Sequence, residues 1–107
     1  VTLSGGQAQR ISIARSFIKD SEIYLFDDCF SSLDSDTEDR ILNNLKNNFH
    51  NKTLIIISHR VSCVKHADNI IVLNNGKIIQ NGSHNELIKN EGYYKDLYLK
   101  QNTEINE

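Results

Sequence analysis

The chain has 107 residues, 38% of them hydrophobic and 24% charged, with a formal net charge of -2. That is the balance of a folded domain or part of one and not of a disordered segment. Acidic and basic residues are interleaved without a Lys/Arg-rich run, so nucleic acid is not an expected partner. Apolar runs such as Leu54 to Ile57 are short beside the roughly 20 residues of a membrane-spanning helix.

No secretory signal pattern precedes the first motif, and no initial Met does either; the chain reads as a piece of a longer protein. Cys29 and Cys63 lack metal-ligand spacing and are expected as reduced thiols.

In chain order, Ser4, Gly5 and Gly6 open a helix in which Ile11, Ala14 and Ile18 recur at helical spacing. Ile23 to Phe26 is an unbroken apolar run stopping at two aspartates, which suits a parallel strand covered on both faces. A second helix is expected from Ser35, with Ser35 and Glu38 as a capping box and Ile41, Leu42, Leu45 and Phe49 as its apolar face. Thr53 to Ile57 is a second buried strand, ending at Ser58 and His59, and a short helix follows. Ile70 to Leu73 turns through Asn74, Asn75 and Gly76 into Lys77 to Ile79, the pattern of a hairpin. Ser83 and Glu86 form a further capping box; helices run from there to about Gln101, and Asn102 to Glu107 reads as a frayed polar tail. The alternation argues an α/β fold with a mainly parallel sheet, and ligands of such sheets sit beyond the carboxyl ends of the strands. Asp27, Asp28 and His59 occupy those ends.

Three groups of residues carry chemistry. In Leu3-Ser4-Gly5-Gly6-Gln7 the glycines let backbone N–H groups approach an anion, the following helix turns its positive end to the same place, and Ser4 adds a hydroxyl. Ser4 with Gln7 also satisfies an ordinary helix cap. Ile23 to Phe26 ending in Asp27 and Asp28 resembles the Walker B strand of P-loop NTPases, which implies one acid holding a divalent ion through water and a neighbouring acid orienting the attacking water; taken alone, such a strand is common. His59 stands at the ligand edge of a buried strand, whereas His50, His66 and His84 read as surface, core or helix-start residues.

Taken together and in order, LSGGQ, the apolar run with two acids, Ser31-Ser32-Leu33-Asp34, and the β-branched strand with His59 resemble the ABC ATPase family. The resemblance covers about residues 1 to 101, the carboxy-terminal half of the ATPase domain, leaving 102 to 107 as the tail. It implies ATP and Mg²⁺ as ligands, Asp27 as the metal-holding Walker B aspartate, Asp28 in the position of the catalytic glutamate, and His59 as the switch histidine. Ser4, Gly5, Gly6, Gln7 and Asp34 would meet nucleotide, with the signature residues serving a partner's site in a head-to-tail pair of cassettes. No G-x-x-x-x-G-K-[ST] loop occurs, and by the resemblance it belongs upstream. Ser58 to Ser62, Asn75 to Ile78, Gly82 to Leu87 and Gly92 to Tyr94 are similar to the tail of exporter cassettes, which work with transmembrane domains from the cytoplasmic face of the membrane.

Two positions depart from the pattern. Asp28 replaces a glutamate, and Cys29 stands where Pro is frequent. The first points to an asymmetric heterodimer in which the site bearing Asp28 hydrolyses slowly. The alternatives are a soluble ABC ATPase of the translation-factor or DNA-maintenance kind, or an inactive truncated remnant.

Overall fold

A computed structural model describes residues 4–105. The chain divides into two units, one up to His59 and one from Arg60.

The first unit holds α1 (Gly5–Ser16), β1 (Ile23–Asp27), α2 (Ser35–Asn48) and β2 (Thr53–Ile57). β1 and β2 pair in parallel with Ile23 opposite Thr53 and Asp27 opposite Ile57, as the continuous β-branched runs predict. Side chains alternate across a pleated strand. Tyr24 and Phe26 therefore point together into the core, where both are buried. Phe17 stacks on Phe49 at 4.5 Å between ring centroids and lies 5.1 Å from Tyr24; Phe26 meets Phe30 at 6.0 Å. Leu42 and Leu45 of α2 complete this core.

The opposite face differs from the expectation of strands covered on both sides. Ile23 and Leu25 are each 61% exposed, and Ile55 and Ile57 are exposed beside them. The apolar run in the sequence records what these strands are built to bury; the described residues cover one face only.

Two details of the helices also differ. In α1 the buried residue is Ile13, while Ile11, Ala14 and Ile18 face outward, Ile18 at 83% exposure. The aromatic cluster accounts for the rotation: Phe17, four residues beyond the buried Ile13 and so on the same side, packs against Tyr24, Phe26 and Phe49, while Ile11 is exposed. In α2 the N-cap is Asp34, not Ser35, and its carboxylate accepts from Thr37 N. Glu38, the expected partner of Ser35, is fully buried.

The second unit holds α3 (Val61–Val64), β3 (Ile70–Asn74), β4 (Lys77–Gly82), α4 (His84–Lys89) and α5 (Tyr93–Ile105). β3 and β4 form the expected antiparallel hairpin, closed by Asn75 and Gly76 at φ 51 and 75. Positive φ at both loop positions is what a two-residue turn needs to match the strand twist, and Asn-Gly supplies it. A register shift between Val72 and Leu73 interrupts the ladder. Val61, Ile70, Leu87 and Tyr94 make the core. The capping box at Ser83 and Glu86 is present as predicted. α5 continues through 102–105, the start of the stretch expected to fray. Among the described residues no helix is long and apolar enough to cross a membrane.

Candidate functional site

The carboxyl ends of β1 and β2 lie side by side because the pair is parallel and in register. Asp28 N donates to Ile57 O at 2.8 Å, which carries the pairing one residue past the end of β1. This bond sets Asp28 beside the segment leading to His59. Asp28 itself has φ 54. A left-handed backbone is uncommon outside glycine, but aspartate tolerates it better than most residues. It turns the chain sharply out of the strand and leaves Asp27 and Asp28 both exposed. His59 is exposed as well.

Cys29 follows, with its Sγ 3.7 Å from Asp27 O. Burial pushes its thiol pKa up, and the adjoining carboxylates Asp27 and Asp28 add to that, while the hydrogen bond to the Asp27 backbone opposes it. A raised pKa leaves less thiolate, which argues against an activated nucleophile at Cys29.

At the amino end of α1, Ser4 and Gln7 form a complete reciprocal cap. Gln7 N donates to Ser4 Oγ at 3.1 Å, and Ser4 N donates to Gln7 Oε1 at 3.0 Å. The cap does not compete with a phosphate. Ser4 Oγ accepts within the cap, so its hydroxyl proton remains to be given outward, as do the amide protons of Gln7 Nε2. The N–H groups of the first turn that the cap leaves unsatisfied form an anion-favouring end. Leu3 lies outside the described residues.

Gly5 and Gly6 have a second reason to be glycine, not apparent from the motif. A Cβ at Gly6 would stand 3.0 Å from the backbone O of Ser32, and one at Gly5 3.2 Å from Ser32 Oγ. The loop leaving β1 therefore rests on the opening turn of α1. Gln9, one turn further on, fastens it: Nε2 donates to Ser31 Oγ at 3.0 Å, and Oε1 accepts from Ser32 N at 2.8 Å. Buried Phe30 and Leu33 anchor the loop on either side of the two serines. Gln9 and Ser31 were not among the site residues expected from sequence; a second glutamine two positions after the LSGGQ run was the available signal.

Asp34 is more engaged than its expected nucleotide role implies. Both carboxylate oxygens are held by Thr37, one by its backbone N at 3.2 Å and one by its hydroxyl at 2.6 Å. These bonds, first the hydroxyl and then the amide, hold its pKa below the usual carboxylate value. The structure thus brings Ser4–Gln7, the Ser31–Ser32 loop, Asp27, Asp28 and His59 into one unit, with Asp34 serving as a helix cap at its margin.

A Mg²⁺ ion dehydrates reluctantly and is commonly held by one or two carboxylates plus substrate phosphates. The exposed Asp27 at a strand end fits that mode. Among the described residues no cluster of three or more His, Cys, Asp or Glu side chains could cage a metal unaided.

The ABC transporter family model matches residues 1–31. The chain is 46% identical, over 94% of its length, to the probable multidrug resistance ABC transporter ATP-binding/permease protein YheI of Bacillus subtilis. It is 47% identical over its whole length to the ATP-dependent lipid A-core flippase of Legionella pneumophila, strain Paris. A bacterial Atm1-family ABC exporter, solved with ATP bound, superposes with a TM-score of 0.88 at 39% identity over 92% of the chain. The chain spans 17% of the Bacillus relative and 18% of both the flippase and the solved exporter. Family match, identity across nearly the whole chain and close structural likeness agree: the chain belongs to the ABC transporters and is a segment of their ATP-binding cassette.

Proposed function

We propose that the full-length protein couples ATP binding and hydrolysis to export across a membrane, with this chain as the motif-bearing part of its cassette on the cytoplasmic face. The observation that carries the reading is one juxtaposition. The exposed acids at the end of β1 lead, through a loop pinned by Gln9, to the glycine-opened end of α1. Residues 1 to 101 run from the signature helix towards the end of the cassette, and 102 to 107 follow as its tail.

Asp27 would hold Mg²⁺, which supplies charge neutralisation on the phosphates when bound. Asp28 orients the attacking water and accepts its proton, and His59 contacts the γ-phosphate. Ser4, Gly5, Gly6 and Gln7 present N–H and side-chain donors to the ATP of a partner cassette packed head to tail, with Asp34 near that nucleotide. Catalysis of this kind is positioning plus electrostatic stabilisation of in-line attack by water, with ADP as leaving group. The relatives' names, a flippase and a multidrug transporter, favour an exporter with transmembrane domains over a soluble translation or DNA-maintenance ATPase.

The test is Gly5→Gln in the full-length protein. A bulky side chain there blocks the helix end from the γ-phosphate, so ATP turnover should fall by about 100-fold or more, while equilibrium ATP binding to the same subunit's own Walker A site is spared. Lost binding with unchanged turnover would show that the helix end serves its own subunit, against the head-to-tail assignment.

The residue type at Asp28 favours a finer reading, an asymmetric heterodimer. Aspartate is one methylene shorter than glutamate, which withdraws the carboxylate by about 1.5 Å, and a misplacement of about 1 Å can cost on the order of 100-fold in rate. The site bearing Asp28 would hold ATP and hydrolyse it slowly, while this chain's intact signature completes the partner's faster site. Asp28→Asn then leaves most turnover intact; near-total loss of turnover would make Asp28 the main base instead.

A further inference from the structure

Gln9 is fixed at both ends of its amide. One end donates to Ser31 Oγ at 3.0 Å and the other accepts from Ser32 N at 2.8 Å. A glutamine side chain anchored once can swing about its long stem, but anchored twice it has a set plane. Ser32 in turn fills the space beside the first turn of α1, where a Cβ on Gly6 would come within 3.0 Å of its carbonyl oxygen. The helix end and the loop therefore touch through backbone and serine atoms, a contact with almost no slack. Two buried residues, Phe30 and Leu33, hold the loop's flanks, which leaves Ser31 and Ser32 as the part that Gln9 sets.

The geometry points to Gln9 as a positioning residue: it latches the Ser31–Ser32 loop to the signature helix and so fixes where the Ser4–Gly6 donors stand. The inference rests on the proposed ATP-facing role of that helix end. Gln9 itself is assigned no contact with nucleotide and acts through Ser32. Loss of the latch leaves the glycine contacts in place, so the donors shift by less than the roughly 1 Å associated with a 100-fold rate loss.

The experiment measures ATP turnover by the full-length protein in lipid. Gln9→Ala should lower kcat about tenfold with KM for ATP unchanged within about twofold. Gln9→Glu keeps the acceptor for Ser32 N and can accept from the Ser31 hydroxyl, so it should recover most of that loss. Ser31→Ala removes one anchor and should fall between; combined with Gln9→Ala it should add less than its own effect, because both act on one latch. Unchanged kcat in Gln9→Ala, or equal loss in Gln9→Ala and Gln9→Glu, would overturn the proposal. Failure of the ATP reading would show separately, as an inactive wild-type protein. The latch is then still read by hydrogen exchange at the Ser32 amide, expected at least about tenfold faster in Gln9→Ala; equal exchange in the two proteins would overturn it.

Discussion

Helices α1 and α4 begin with the same device and use it for opposite ends. Ser4 with Gln7, and Ser83 with Glu86, each form a reciprocal capping box. The next two residues are Gly5 and Gly6 in α1, and His84 and Asn85 in α4. The His84 ring closes its helix end. It packs edge-on against Tyr94 and Tyr98, and its Nδ1 lies 2.7 Å from the Tyr94 hydroxyl. Gly5 and Gly6 leave their end bare of side chains, and the Ser32 loop approaches instead. A cap is a local solution to orphan N–H groups. Whether the capped end becomes a packing joint or an open donor surface is decided by the first-turn side chains and by what the rest of the unit brings against them.

The strongest way to break this contrast is to give α1 a side chain. Gly6→Ala forces the Ser32 carbonyl to move, an overpacking cost of about 1–3 kcal/mol, against which the better helix propensity of alanine returns about 0.5–1 kcal/mol. A net loss of about 1 kcal/mol should appear in denaturant melts. At the matching exposed position of α4, Asn85→Ala should stay within about 0.5 kcal/mol. Equal losses at the two positions would remove the claim that the loop, and not the helix, demands glycine at Gly6.

The caps themselves should be interchangeable in stability. Ser4→Ala and Ser83→Ala should each cost about 1 kcal/mol. In the full-length protein only Ser4→Ala should also slow ATP turnover, if its hydroxyl donates to nucleotide beyond the cap as proposed. A comparable slowing by Ser83→Ala would erase the functional distinction.

The smallest effect is that of pH on the closed end. Burial lowers the His84 pKa, helped by the nearby Lys65 and His66 charges, and burial with Tyr98 close by pushes Tyr94 up to about 12. The folded state thus prefers neutral imidazole. A depressed folded pKa gives stability that is present above the ordinary value of 6.5 and lost as pH falls through the folded value. Melting of the second unit should therefore drop modestly between pH 7.5 and pH 5.5, and His84→Gln should flatten that dependence. An unchanged dependence in His84→Gln would assign the drop elsewhere.

Much of this molecule was legible in its residues. The β-branched run at Thr53 to Ile57, the apolar run into Asp27, the Asn75-Gly76 turn and the Ser83 cap all depend on neighbours close in sequence, and each stands where expected. The linked order of LSGGQ, two acids, SSLD and His59 was likewise enough to identify the family. Where the reading missed, the deciding partner was either a close competitor or distant in sequence. Ser35 and Asp34 are both competent caps, and an extended Asp34 backbone with Thr37 in reach favours Asp34. The buried side of α1 was set by the aromatic cluster of Phe17, Tyr24, Phe26 and Phe49, which assembles from three separate elements and their ends.

The sequence by itself determined the strands, the hairpin turn, the caps of α1 and α4 and the family, because periodicity, β-branching and backbone preference act over a few residues. Only the tertiary structure decided why Gly5 and Gly6 must stay small and what Gln9 does. Both depend on Ser31 and Ser32, more than twenty residues away from Gln9, and hydrogen bonds across that separation exist only once the loop leaving β1 has folded back onto α1.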